Sequence, residues 1–191
     1  MKHPRTWAAV AAAGALALTT LAASPASASD DTDQDSGGLT TVVLNPELVP
    51  TLVNTLKVMP IAPGQLTAPG GAAQVSFPIT RVKDGVISHA GGLRFTPVGG
   101  GTLAITRFDV NLNTGYLTAN TRLNRTKVGR VNIFALGPVQ PINGSAPACA
   151  GVPAGLTLTK DAANALGAPS FAGAFAGDAC VVPATQTEDD D

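Results

Sequence analysis

Between Ile87 and Leu136 the chain alternates short apolar runs with glycine turns, and few folds tolerate that pattern. Five strand candidates lie in this stretch: Ile87–Ala90, Leu93–Thr96, Thr102–Leu112, Tyr116–Leu123 and Val128–Leu136. The breaks are Gly91-Gly92, Gly99-Gly100-Gly101, Asn113-Thr114-Gly115 and Asn124 to Lys127, which is hairpin spacing and predicts an antiparallel meander. Within the fourth run Leu117, Ala119, Thr121 and Leu123 share one face. In the last, Val131, Ile133 and Ala135 are expected to face the core. In the third run the apolar parity slips between Leu103/Ile105 and Phe108/Val110/Leu112, which predicts a β-bulge near Thr106-Arg107.

The flanks read as continuations of the same sheet system. Leu39–Leu44 is β-branched and short, hence a strand, and Asn45-Pro46-Glu47 follows as a helix start for Leu48, Leu52, Val53 and Leu56. Lys57–Ile61 is expected to be extended and Gly64–Ala73 a loop. Val75, Phe77 and Ile79 face inward on a strand in which Pro78 marks an edge or bulge. Near the other end Leu156–Thr159 is a strand, Thr159 caps a short helix over Lys160–Leu166, and Gly173–Val182 is extended. The segments LTTVVLNPELVPTL and GLTLTKDAANAL thus echo each other as strand, cap and short helix. The fold class expected is mainly β: an antiparallel sandwich or meander-based sheet with two short peripheral helices.

The first 28 residues read as an address rather than as part of this fold. Lys2, His3 and Arg5 precede an apolar run from Trp7 to Leu21, and Ala26-Ser27-Ala28 is a small-residue cleavage site, as in a secretory signal peptide. The apolar run is shorter than the roughly 20 residues a transmembrane helix needs, and no later run is long enough to span. The organisation expected is a signal peptide over 1–28, an acidic flexible segment over 29–38, one β-rich domain over 39–183 and an acidic disordered tail over 184–191. Export predicts a secreted or extracellular protein, with association to the cell wall open. In that compartment Cys149 and Cys180 are expected to form a disulfide.

Catalytic and metal chemistry is thinly provided for. After the leader the chain has one histidine, His89, one tyrosine, Tyr116, and no tryptophan. There is no GxSxG elbow for a hydrolase, and one histidine with a paired cysteine couple cannot complete a zinc site. Asp31-x-Asp33-x-Asp35 departs from a calcium loop, because glycine comes one position late and Val42 stands where a glutamate is needed. The run Gly99–Gly101 precedes no helix and reads as a turn rather than a phosphate cradle. A non-enzymatic role is therefore expected, with a secreted hydrolase built on His89 as the third reading and no cofactor called for by the residues themselves.

Charge points to one binding surface. Residues 39–187 hold ten Lys/Arg and five Asp/Glu, whereas both ends are acidic. Arg122, Arg125, Lys127 and Arg130 gather around one turn and form a rim suited to an anionic partner, such as a cell-wall polymer or another envelope protein. The absence of interleaved aromatics argues against nucleic acid. The alternative for these four is a solvated hairpin rim.

The strings ISHAGGLRF, GGGTLAITRFDVNLNTGYLTANT and GRVNIFALG, spread over residues 87–136, resemble the core of secreted actinobacterial HtaA-type domains. The resemblance rests on turn glycines and apolar alternation. It implies a β-rich extracellular domain and, from characterised members, haem binding through a tyrosine ligand with histidine support. On this chain His89 and Tyr116 are the two side chains available for that role. The family's N-terminal aromatic segment, which carries a tryptophan and the ligand tyrosine, has no counterpart, since Leu39–Ile61 contains no aromatic residue. Tyr116 lies instead in the GYLTA turn.

Overall fold

The computed structural model describes residues 37–142 and 144–184, and the expected leader, almost all of the acidic lead-in and all but Ala184 of the tail lie outside them. The described residues form β1 (Gly38–Leu44), β2 (Met59–Ile61), β3 (Gln65–Thr67), β4 (Gln74–Lys83), β5 (Val86–His89), β6 (Gly92–Phe95), β7 (Leu103–Asn111), β8 (Tyr116–Leu123), β9 (Thr126–Gly137), β10 (Val152–Leu158), α1 (Lys160–Ala165) and β11 (Phe175–Pro183). A π-helical turn spans Thr51–Thr55. The mainly β class and the two short helical segments are as expected. The sheet, however, curls round on itself. Eight strands pair antiparallel in the closed order β1-β4-β5-β7-β8-β9-β10-β11, and β11 returns to β1 with Leu39 opposite Val182. Closure pairs each strand of the ring with two neighbours, which is how a β-domain avoids edge-to-edge association.

The barrel is split at one place, and glycine explains how. β5 and β6 are successive parts of one strand that runs along β7, first at Val86–Ser88 against Asn111–Asp109 and then at Gly92–Phe95 against Thr106–Leu103. At Ala90-Gly91 this strand parts from β4, and the successive short strands β2 and β3 fill the gap, β2 pairing with β6 and β3 with β4. Gly91 has φ +88°, and a Cβ there would lie 2.6 Å from the backbone nitrogen of Gly64. Only glycine allows the two backbones to meet. Pro78 faces the same split, where its carbonyl accepts from the Ala90 N–H and its missing N–H is not needed. The segment Gly64–Ala73, read as a loop, contains β3; three residues carry too little periodicity to announce a strand.

The predicted bulge is present. Register between β7 and β8 shifts between Thr106 and Asp109, and Arg107 takes a left-handed φ of +54°. That slip lets Leu103, Ile105, Phe108 and Val110 all point inward, where each is at least 96% buried. They meet Val75, Phe77, Ile79, Ile87, Ile133 and Leu156 in one core, with the Phe77 and Phe108 rings 4.7 Å apart and inclined at 52°. Each such side chain contributes about 1.5–3 kcal/mol on burial.

The echo between the chain ends acquires a spatial meaning. β1 and β10 flank β11 on its two sides, and both following helical segments close the same mouth of the barrel. The N–H of Thr96 donates to Leu56 at 2.7 Å and that of Val98 to Leu166 at 3.2 Å, so the β6–β7 loop ties the two plugs together. Thr159 caps α1 as expected: its Oγ1 accepts from the Ala162 N–H at 3.2 Å, and Gly167 ends the helix at φ +67°.

Candidate functional site

His89 sits in the wall of the barrel with its ring directed inward, and it is only 4% exposed. The strand alternation that buries Ile87 buries His89 two residues later. Its Nδ1 is 3.2 Å from the carbonyl of Phe108, which can only accept, so Nδ1 carries the proton. Nε2 is then the bare nitrogen of a neutral ring and accepts from the Thr40 hydroxyl at 2.7 Å. Burial holds the ring's pKa below the ordinary 6.5, against the opposing pull of the Phe108 carbonyl and the Asp109 carboxylate. Both nitrogens are thus engaged, one with Phe108 and one with Thr40, and no serine is the partner of either. Thr40 was not singled out from the sequence. Its parity with Val42 and Leu44 marks it as a polar side chain on the inward face of β1, and that was the available signal.

The barrel interior offers little room. A cavity of about 130 Å³ lies among the core side chains, with an entirely apolar lining surface. Small-molecule sites occupy roughly 300–1,000 Å³. A haem does not fit inside, and His89 has no free nitrogen to offer one.

Tyr116 lies on the opposite face of the wall. Leu117 points inward, so Tyr116 at the start of β8 points outward, 39% exposed, in register with Asn111 on β7 and Ala135 on β9. Ala135 therefore faces solvent rather than the core: a register shift after Leu117 lets Ile133 and Phe134 both turn inward and moves Ala135 to the outer face. His89 and Tyr116 are separated by the sheet itself and do not converge.

The next outward residue on β8, Thr118, leads to a polar cluster. Arg130 donates from Nε to Thr118 Oγ1 at 2.8 Å and from Nη2 to the Arg107 carbonyl at 3.2 Å, and it forms an ion pair with Asp109. The bulge at Arg107 frees the carbonyl that Arg130 uses. Among the described residues Arg122, Arg125 and Lys127 have no such partners, so the four-cation rim divides into one neutralised and three unpaired. Beside Arg130 a shallow cleft of about 360 Å³ runs between β9 and α1, lined in part by Val128, Asp161 and Asn164.

On the far side of the barrel Cys149 and Cys180 are joined as expected. The disulfide pins the loop after β9 across the outside of β10 and β11. Beneath it lies Asp178, 3% exposed, with Oδ1 accepting from the Gln140 N–H at 3.1 Å and Oδ2 without a partner among the described residues. Burial raises its pKa above the ordinary 3.8, offset in part by the Gln140 N–H. No sequence signal distinguishes Asp178 from an exposed strand aspartate, because the covering loop is remote in the chain. Among the described residues no group of three or more His, Cys, Asp or Glu is placed to hold a metal ion, and no helix is long and apolar enough to cross a membrane.

No protein-family model matches the sequence, and no curated protein sequence matches it significantly. The fold does have counterparts. The crystal structure of the haem-binding protein HtaB from Corynebacterium glutamicum aligns over 76% of this chain and 91% of that one, at a TM-score of 0.52 and 11% sequence identity. The C-terminal domain of HtaA from the same organism aligns over 76% of this chain and 98% of its own, at 14% identity and a TM-score of 0.44, too low to establish a shared fold. Residues 87–136 are thus one part of a barrel whose fold as a whole is similar to that of HtaB.

Proposed function

We propose that this protein is a non-enzymatic binding domain that acts outside the cell, and that it takes haem on the outer wall of its barrel through Tyr116. The observation that carries this reading is the position of Tyr116: an exposed phenol on the outer face of a barrel with the fold of a haem-binding protein. A tyrosine oxygen is an established axial ligand for haem iron. The leader-like segment over residues 1–28 supports an exterior location. His89 serves the reading only as structure, holding β1, β5 and β7 together through Thr40 and Phe108.

Titration of the purified protein with hemin tests this. A saturable Soret shift is expected for the wild type and for His89→Gln that still folds, and it is expected to vanish in Tyr116→Phe. No shift at micromolar hemin, or a shift that Tyr116→Phe leaves intact, sinks the proposal.

A further inference from the structure

The β8–β9 turn does not hold its cations alone, because the register brings in a fourth from a distant strand. Arg94 on β6 is paired with Ala104 on β7, Ala104 with Arg122 on β8, and Arg122 with Lys127 on β9. Residues paired in this way share a face, and Leu93 and Phe95 on either side of Arg94 line the interior, so the row Arg94–Ala104–Arg122–Lys127 points outward. Strand spacing sets Arg94 about 10 Å from Arg122, and Lys127 about 5 Å further on, measured between backbones. The small side chain of Ala104 leaves the floor between the first two cations low. Arg125 stands at the end of the row, in the two-residue turn between β8 and β9.

Three features say that this row is not there to stabilise the sheet. Arg122 and Lys127 are like charges in directly opposed positions, which destabilises a strand pair. No acidic side chain among the described residues pairs with Arg94, Arg122, Arg125 or Lys127, although Arg130, in the neighbouring row, is neutralised by Asp109. Arg125 has φ +69°, in the left-handed region where this turn type favours glycine. An arginine is therefore kept at the tip at a conformational cost.

We infer that this stripe is a docking surface for a linear, phosphate-bearing polymer at the cell exterior. Three of the four cations are arginines, whose planar guanidinium pairs phosphate oxygens two at a time. Their linear arrangement suits successive charges of one flexible chain rather than a single small anion. The outward positions of this row carry no aromatic side chain, so the platform that a sugar ring or a nucleobase would stack upon is missing. The stripe lies about 20 Å along β8 from Tyr116 and does not depend on the haem reading.

Binding of the purified full chain to long-chain polyphosphate, hyaluronate and inorganic phosphate decides the matter, with the triple variant Arg94→Gln/Arg122→Gln/Lys127→Gln compared against Arg81→Gln/Lys83→Gln/Lys160→Gln. The control removes the same charge elsewhere on the surface, and both sets leave the core untouched. Polyphosphate is expected to bind and to weaken about 20- to 50-fold between 50 and 200 mM salt, as release of counterions from three to four charges requires. The stripe variant is expected to lose at least tenfold in affinity and the control less than twofold. Failure of the wild type to bind polyphosphate at low salt overturns the inference. So does equal loss in both variants, or binding of hyaluronate or inorganic phosphate as tight as that of polyphosphate.

Discussion

The Thr40 hydroxyl stands 2.7 Å from Nε2 of His89, across strands 49 residues apart in the chain, and donates to it inside the barrel wall. β1 and β5 are not neighbours in the sheet: β4 lies between them. The bond therefore spans the interior face of three strands and joins the beginning of the barrel to its middle.

Removing the donor leaves a buried nitrogen without a partner. Thr40→Val is expected to cost about 1–3 kcal/mol in urea denaturation, the usual penalty for an orphaned buried polar group. Thr40→Ser keeps the hydroxyl and is expected to lose less. Equal stabilities for wild type and Thr40→Val would show that the bond contributes nothing.

Protonation of His89 gives stability an acid limb. Burial holds the folded ring below its ordinary pKa of 6.5, so the unfolded chain binds a proton first as pH falls. The stability due to the neutral ring is complete above pH 6.5 and is lost as pH drops from there towards the lowered folded value, with a slope of up to about 1.4 kcal/mol per pH unit. Unfolding free energies between pH 7.5 and 5 test it. His89→Gln is expected to flatten this part of the profile, and a variant as steep as the wild type would assign the titration to another group.

Asp178 acts with the opposite sign. Its folded pKa lies above 3.8, so its ionisation weakens the fold as pH rises through that folded value. Asp178→Asn keeps the acceptor for Gln140 and removes the buried charge. It is expected to stabilise the protein by about 1 kcal/mol at pH 7 and by progressively less as pH approaches 3.8. A variant less stable than wild type at neutral pH would mean that Oδ2 has a partner worth keeping.

The disulfide closes a loop over a sequence separation of 31 residues. Cys149→Ser/Cys180→Ser is expected to lose about 3–4 kcal/mol by the chain-entropy estimate. Hydrogen exchange should rise first along β10 and β11, which the pinned loop covers. A loss under about 1 kcal/mol, with exchange unchanged there, would show that the loop holds itself in place.

Much of this architecture is legible residue by residue, because turns and alternation are local. Glycines at 91, 99–101 and 115 mark the breaks, the parity slip between Ile105 and Phe108 marks the bulge, and Thr159 with Gly167 brackets α1. Ala135 shows where such reading stops. Its parity with Ile133 is intact in the sequence, and only the pairing of Tyr116 with Ala135 and of Leu117 with Phe134 reveals the shift that turns it outward.

The candidate sites divide along the same line. Taken alone, the sequence determined that His89 and Tyr116 are the one histidine and the one tyrosine after residue 28, that Arg122 to Arg130 crowd one turn, and that two cysteines are available to pair. Tertiary structure decided that the barrel wall separates His89 from Tyr116, that Asp109 neutralises Arg130, and that Arg94 joins Arg122 and Lys127 in one row. The physical reason is that a strand's inward and outward faces follow from a period of two along the chain, whereas its neighbours follow from long-range pairing and closure of the sheet.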